Sequence, residues 1–140
     1  MGIIFDTCIW IERLARRLSV AKIVHLCGDQ PIYISAISLG ELHFGVETCS
    51  NPALRARRYA QIRKLGRRPI LPVTAGTAET FGILAAALRQ IGRSPRPRYN
   101  DLWIASQAVE NDYMLLTLNA GDFAALPGLR LMTLASNEPQ

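Results

Sequence analysis

The chain of 140 residues carries 16 Lys and Arg against 11 Asp and Glu, a formal net charge of +5, and 49% of it is hydrophobic. That length and hydrophobic fraction suffice for one packed domain, and they exclude a chain disordered throughout or one that needs disulfide or metal staples to fold. The longest apolar run, Phe81 to Leu88, falls well short of the roughly 18 residues that cross a bilayer, and Asp6 interrupts the first one too early for a secretory leader. A cytoplasmic protein without a membrane span is expected. Cys8, Cys27 and Cys49 are odd in number and lack a C-x-x-C pair, so they read as small reduced hydrophobes rather than disulfide partners or thiolate zinc ligands. The positive balance points, weakly by itself, to an anionic partner, nucleic acid first.

In chain order, Gly2 to Phe5 is a short β-rich apolar run of the kind buried on both faces of a parallel sheet. Cys8 to Leu18 and Val20 to Cys27 read as helices, the second stopped by Gly28. Ile32 to Ile34 is a second strand, followed by a helix over about Ile37 to Thr48. Asn51-Pro52 supplies an N-cap and a first-turn proline for a helix reaching Leu65, with Ala56, Tyr59, Ile62 and Leu65 at three-residue spacing. Pro69 to Val73 reads as a short strand that its prolines confine to an end or edge. From Thr77 a helix presents Phe81, Leu84, Leu88 and Ile91 on one face and stops at Gly92.

Arg93 to Tyr99 is a basic, proline-punctuated loop, after which Asn100 is the natural N-cap of a helix that runs through Leu102 to Asn111. Met114 to Leu118 is a strand, Asp122 to Leu126 one short turn, and Leu129 to Thr133 a last strand. Residues 137–140 are expected to fray. With no internal repeat and no linker, strands alternating with helices predict a single α/β domain over residues 1–136 with a mainly parallel sheet.

Four acids stand out against this frame. Asp6 follows the first strand directly, where open α/β sheets bind ligands beyond the carboxyl ends of their strands; its plainer reading is a cap for the next helix. Glu41 shares a helical face with Ser38, Leu42 and Gly45, although a single helical Glu is more often solvated. Asp101 opens a helix whose face continues through Ile104, Ala105 and Ala108, and a first-turn acid is favoured by the helix dipole whatever its function. Asp122 lies beyond the Met114 to Leu118 strand with Asn119 nearby, where Gly121-Asp122 also reads as turn chemistry.

Unit charges about 5 Å apart repel by about 3 kcal/mol at an effective dielectric near 20, so carboxylates gathered in one crevice need a compensating cation. Oxygen ligands favour Mg2+ or Mn2+ over zinc. Such a cation would bind a phosphate oxygen and acidify a water, a nucleophile that no paired His or Cys supplies here. No G-x-G-x-x-G follows the first strand and no P-loop is present, which argues against dinucleotide and nucleoside triphosphate binding. A phosphoaspartyl enzyme with Asp6 as nucleophile is the weaker alternative, because Cys8 stands where a second acid would help. His25 and His43 lack ligand spacing and read as structural; Cys8 reads as packing rather than as a reactive thiol.

Four blocks, Ile3-Ile4-Phe5-Asp6-Thr7, Ile34 to Leu42, Asn100-Asp101-Leu102-Trp103-Ile104-Ala105 and Leu116 to Phe123, resemble in order and spacing the PIN-domain ribonucleases, above all the VapC-type toxins of bacterial toxin–antitoxin pairs. The similarity spans nearly the whole chain, including the ending Leu126-Pro127-Gly128-Leu129-Arg130. It implies a three-layer α/β/α sandwich and a Mg2+- or Mn2+-dependent endoribonuclease acting on tRNA or rRNA, usually a homodimer, neutralised by a small VapB-type antitoxin. The family's acidic positions fall on Asp6, Glu41, Asp101 and Asp122, with Asp6 and Asp101 the direct metal ligands and the other two completing the site directly or through water. Its supporting polar positions fall on Thr7, Ser38 and Asn119. Cys8 departs from the family's frequent Asn, and Asp122 is shorter than the Glu often found there.

Between Asn51 and Ile70 stand seven basic residues, Arg55, Arg57, Arg58, Arg63, Lys64, Arg67 and Arg68, and no acid. A solvated helix face is the usual meaning of such a run. Without local ion pairs these side chains would also suit RNA phosphates, and Arg93, Arg96 and Arg98, just before Asp101, form a second candidate set. The competing class is a PIN-like module that binds RNA or an antitoxin without cleaving; the presence of all four acids speaks against it.

Overall fold

The computed structural model describes residues 1–134, so the expected tail at 137–140 and the last two residues of the expected domain lie outside the described residues. The chain runs β1 (Ile3–Phe5), α1 (Thr7–Leu14), α2 (Val20–Cys27), β2 (Ile32–Ser35), α3 (Ala36–Glu47), α4 (Pro52–Leu65), β3 (Ile70–Leu71), α5 (Ala75–Gln90), a 3-10 turn (Arg96–Arg98), α6 (Tyr99–Asn111), β4 (Met114–Thr117), α7 (Ala120–Phe123) and β5 (Arg130–Thr133). The strands form one sheet in the order β3-β2-β1-β4-β5, every pairing parallel. The chain builds outward from β1 through β2 to β3, then returns to lay β4 on the other side of β1. The strand order therefore reverses between β1 and β4, and a crevice opens beyond their carboxyl ends.

Side chains alternate across a strand, and here the alternation separates two cores. Ile3, Phe5 and Leu116 point into one, with Ile9, Trp10, Ile23, Leu42, Val46 and Ile62 from α1 to α4. Ile4 and Leu115 point into the other, with Leu84, Leu88, Leu102, Ile104, Ala105, Ala108 and Phe123 from α5 to α7. Two cores on opposite faces of one sheet make the expected three-layer α/β/α sandwich. Among the described residues no helix is long and apolar enough to cross a membrane, and Cys8, Cys27 and Cys49 are all free thiols.

Boundaries moved for local reasons. The first helix ends at Leu14, not Leu18, because Arg16 adopts φ +58 and turns the chain. Ser35 caps α3 by accepting the Ile37 N–H, so that helix starts at Ala36. A reciprocal capping box between Thr74 and Thr77 starts α5 at Ala75 and makes Thr77 part of the cap. The same helix ends at Gln90, which leaves Ile91 57% exposed rather than in the expected apolar stripe. On α4 only Ile62 and Leu65 are buried; Ala56 and Tyr59 remain exposed. The third strand shortens to Ile70–Leu71 between its prolines.

The N-terminus is held against β2 and β4 by close packing. Tyr33 and Tyr113 stack at 4.7 Å, and a Cβ on Gly2 would run into the Tyr33 ring. Gly2→Ala should therefore cost about 1–3 kcal/mol through forced rearrangement, read as a lowered Tm in a thermal melt. An unchanged Tm would mean that the ring pair yields freely.

Candidate active site

Asp6 sits at the end of β1 and is 4% exposed. Its Oδ1 accepts the Thr7 N–H at 2.8 Å, so the plainer reading as N-cap of α1 is correct as far as it goes. Its Oδ2 accepts the Thr117 hydroxyl at 2.8 Å and lies 3.3 Å from the Cys8 Sγ. The cap alone does not account for a carboxylate so deeply buried at the switch point. Burial, first of all, pushes the Cys8 thiol up to about 11, and the Asp6 charge adds to that. The thiol thus stays protonated and donates to Asp6, matching the expectation that Cys8 is not a reactive nucleophile.

Glu41 is tied in from α3. Thr7 Oγ1 donates to Glu41 Oε1 at 2.8 Å and lies 2.8 Å from Ser38 Oγ. A threonine hydroxyl has one proton, so with that proton on Glu41 the Ser38 hydroxyl must donate to Thr7. Ser38 and Thr7 are buried, and their hydrogen-bond chain aims the half-buried Glu41 toward the Asp6 side of the crevice.

Asp101 stands in the first turn of α6, whose inner face of Ile104, Ala105 and Ala108 is fully buried, as its spacing predicts. The helix begins at Tyr99, straight out of the 3-10 turn, with Arg98 at the N-cap; Asn100 is not the cap. Burial raises the Asp101 carboxyl from its ordinary 3.8 to about 6, and the charges of Asp6, Glu41 and Asp122 push in the same direction while Arg98 opposes them. The charges of the other three expected acids therefore all reach Asp101. Asp122, on α7, is joined to Arg98 by an ion pair of 2.6 Å. Asn119 makes no side-chain cap, and its backbone N–H donates to Thr117 Oγ1 at 3.0 Å, one hydrogen bond away from Asp6.

Thr117 is the residue whose role the sequence left unassigned. It is fully buried at the end of β4, donating to Asp6 and accepting from Asn119. The parallel register that pairs Phe5 with Leu116 brings it beside Asp6, and no local spacing announces that.

The donor set is all carboxylate oxygen, with mutual repulsion that a hard divalent cation would relieve. Among the described residues no group of three or more His, Cys, Asp or Glu side chains forms a preassembled cation cage. Several of the carboxylate oxygens are instead occupied by Thr7, Thr117 and Arg98. His43 packs edge-on to Tyr59, in keeping with a structural role.

The basic residues are less free than their sequence suggests. Arg55 pairs with Glu47 at 2.6 Å, an acid from the end of α3 that the antiparallel turn into α4 brings alongside. Arg63 lies over the Tyr59 ring and Arg68 over the Trp10 ring. Arg98 is paired with Asp122. Arg58, Lys64, Arg67, Arg93 and Arg96 are exposed.

The model of the PIN domain matches residues 3–129, and the chain belongs to the PIN-domain family. Within it, the chain is 33% identical over 101 residues to Ribonuclease VapC4 of Mycobacterium tuberculosis, covering 72% of this chain and 75% of that protein. Among solved structures it is similar to VapBC2 of Rickettsia felis, bound to a DNA fragment from their promoter (TM-score 0.83, 26% identity, 96% of this chain and 100% of that one). It is also similar to VapBC-5 of Mycobacterium tuberculosis, a member of the VapBC family of toxin-antitoxin systems (TM-score 0.72, 28% identity, 96% of this chain and 98% of that one). The resemblance carried by the four sequence blocks is borne out.

Proposed function

We propose that this protein is the toxin of a VapBC-type toxin–antitoxin pair and acts as a Mg2+- or Mn2+-dependent endoribonuclease. The observation that carries the reading is the PIN-domain match over residues 3–129 with a buried Asp6 carboxylate at the β1/β4 switch point, held by Thr7 and Thr117, whose charge reaches Asp101. Asp6 and Asp101 would be the direct metal ligands, with Glu41 and Asp122 completing the site directly or through water. Thr7, Ser38 and the Asn119 backbone support them. Mg2+ or Mn2+ held there would supply Lewis acidity toward a phosphate oxygen and lower the pKa of water. The chain's own residues orient that chemistry: Thr117 and the Thr7 N–H hold Asp6, the Thr7 hydroxyl holds Glu41, and the buried stripe of α6 holds Asp101.

The names of the relatives support RNA as substrate and a VapB-type antitoxin as partner, with tRNA or rRNA the class that the family resemblance implies. A groove of about 570 Å³ between α1, α3 and α4 borders Glu41. Its apolar floor includes Leu14, Leu42 and Val46 and its rim Arg16, Arg57 and Arg58, which suits an amphipathic acidic segment such as an antitoxin would offer. A cytoplasmic homodimer belongs to the same reading.

The test is cleavage of RNA by the purified protein with Mg2+ or Mn2+, against an EDTA control and Asp101→Ala. Cleavage that requires both metal and Asp101 is expected; no cleavage under any condition would favour the binding module. The basic surface has its own check. Replacing Arg58, Arg63, Lys64 and Arg67 together by Ala should weaken RNA binding and flatten its salt dependence, by about 0.7 in log–log slope for each phosphate the chain no longer neutralises. Arg93 and Arg96 form a second set to be removed separately. An unchanged slope takes that set off the RNA surface.

A further inference from the structure

Arg98 is a poor residue for its place in the helix. It occupies the N-cap of α6 and makes no side-chain cap there; the 3-10 turn supplies backbone acceptors to Arg98 and Tyr99 instead, and the helix dipole disfavours a cation at this end. Its ion pair with Asp122, with the two side chains 33% and 41% exposed, is too open to explain the choice by stability. What the position does provide is a guanidinium within one helical turn of Asp101, on the lip of the acidic crevice. Among the described residues, Arg98 is the cation whose charge acts on Asp101, opposed to Asp6, Glu41 and Asp122.

We propose that Arg98 is a substrate-contacting residue, anchored by Asp122 so that its guanidinium meets the RNA phosphate at the acidic crevice, and that Asp122 is its positioning residue. The proposal rests on the RNA-cleaving reading above. Arginine carries five N–H donors in a planar fork, and the bond to Asp122 Oδ1 comes from Nη1. The remaining donors can take two phosphate oxygens side by side, a geometry that lysine lacks. A fixed cation here also lets a polyanion approach a crevice lined by carboxylates. With Oδ1 given to Arg98, Asp122 has Oδ2 left to turn toward a metal or its water. The short side chain of Asp122 fits the anchoring role, because the partner is a long arginine on the neighbouring turn.

Four variants of the full chain test this: Arg98→Ala, Arg98→Lys, Asp122→Asn and the double variant Arg98→Ala/Asp122→Asn. Each is assayed for cleavage of a single-stranded oligoribonucleotide, for the salt slope of binding the same RNA in EDTA, and for Mn2+ affinity by calorimetry. Arg98→Ala should lower kcat/KM by about 10²-fold, by analogy with the loss of one preorganised transition-state donor, and reduce the salt slope by about 0.7, with Mn2+ affinity not weakened. Arg98→Lys should restore the slope but only a minor part of turnover. Asp122→Asn should lower turnover with Mn2+ binding retained, and the double variant should be no worse than Arg98→Ala, since the two act as one unit. Full cleavage and an unchanged slope in Arg98→Ala would overturn the proposal, as would an Asp122→Asn variant that loses Mn2+ tenfold while Arg98→Ala is silent. If the wild-type chain itself shows no metal-dependent cleavage, the failure lies with the proposed function instead.

Discussion

Asp6→Asn is expected to lose RNA cleavage by about 10³-fold or more while keeping the fold. The amide carbonyl can still accept the Thr7 N–H now held by Oδ1, so the cap of α1 survives. What disappears is the charge beneath Thr117 and Cys8, and with it the most buried acid of the site. The Thr117 hydroxyl, which already accepts the Asn119 N–H, would also face an NH2 donor in place of an acceptor, a local cost well below global unfolding. Single-turnover cleavage and a thermal melt check both halves. Full cleavage by this variant would remove Asp6 from the reaction.

Asp101→Asn should abolish cleavage and, in EDTA, make the protein more stable. The folded-state pKa of Asp101 is about 6 against an ordinary 3.8, so the native state binds this proton more tightly than the unfolded chain does. Stability from this group is therefore fully present below about pH 4, is lost as the pH rises toward 6, and stays lost above that, a decline of about 2 kcal/mol at most. The Asn variant lacks this decline and should melt a few degrees higher than wild type at pH 7 in EDTA. Mg2+ or Mn2+ should narrow the gap by stabilising wild type more than the variant, because a cation relieves the repulsion that Asn has already removed. A wild-type melting profile that matches the variant from pH 4 to pH 7 would show that the four charges do not share a site. The acid proposed to ligate the metal is the one that burdens the metal-free fold.

The class of fold was legible because it rests on local patterns. Continuous apolar strands such as Ile3 to Phe5 announce a two-sided sheet, and their alternation with amphipathic helices announces parallel order. The order and spacing of the four blocks led to the right family. The acids could be nominated one at a time, each beside a plainer reading, and the plainer reading of Asp6 as a cap proved true while its second carboxylate oxygen meets Thr117 and Cys8. Errors gathered at element ends. Arg16 in the left-handed region and the Thr74–Thr77 box are single-residue geometries that periodicity does not register. The run of seven basic residues concealed the Arg55 pairing, since its partner Glu47 lies just outside that stretch.

By itself the sequence determined the layered α/β architecture and the family, and it nominated the four carboxylates, because hydrophobic period, strand-end position and motif order are properties of neighbours along the chain. Tertiary structure alone decided how those carboxylates are held. Thr117 meets Asp6 from 111 residues away through the parallel register of β1 and β4. Arg98 meets Asp122 because the turn into α6 lies beside α7 at the same crevice. Hydrogen bonds and ion pairs of this kind depend on distances in space of about 3 Å, which residue spacing along the chain does not encode.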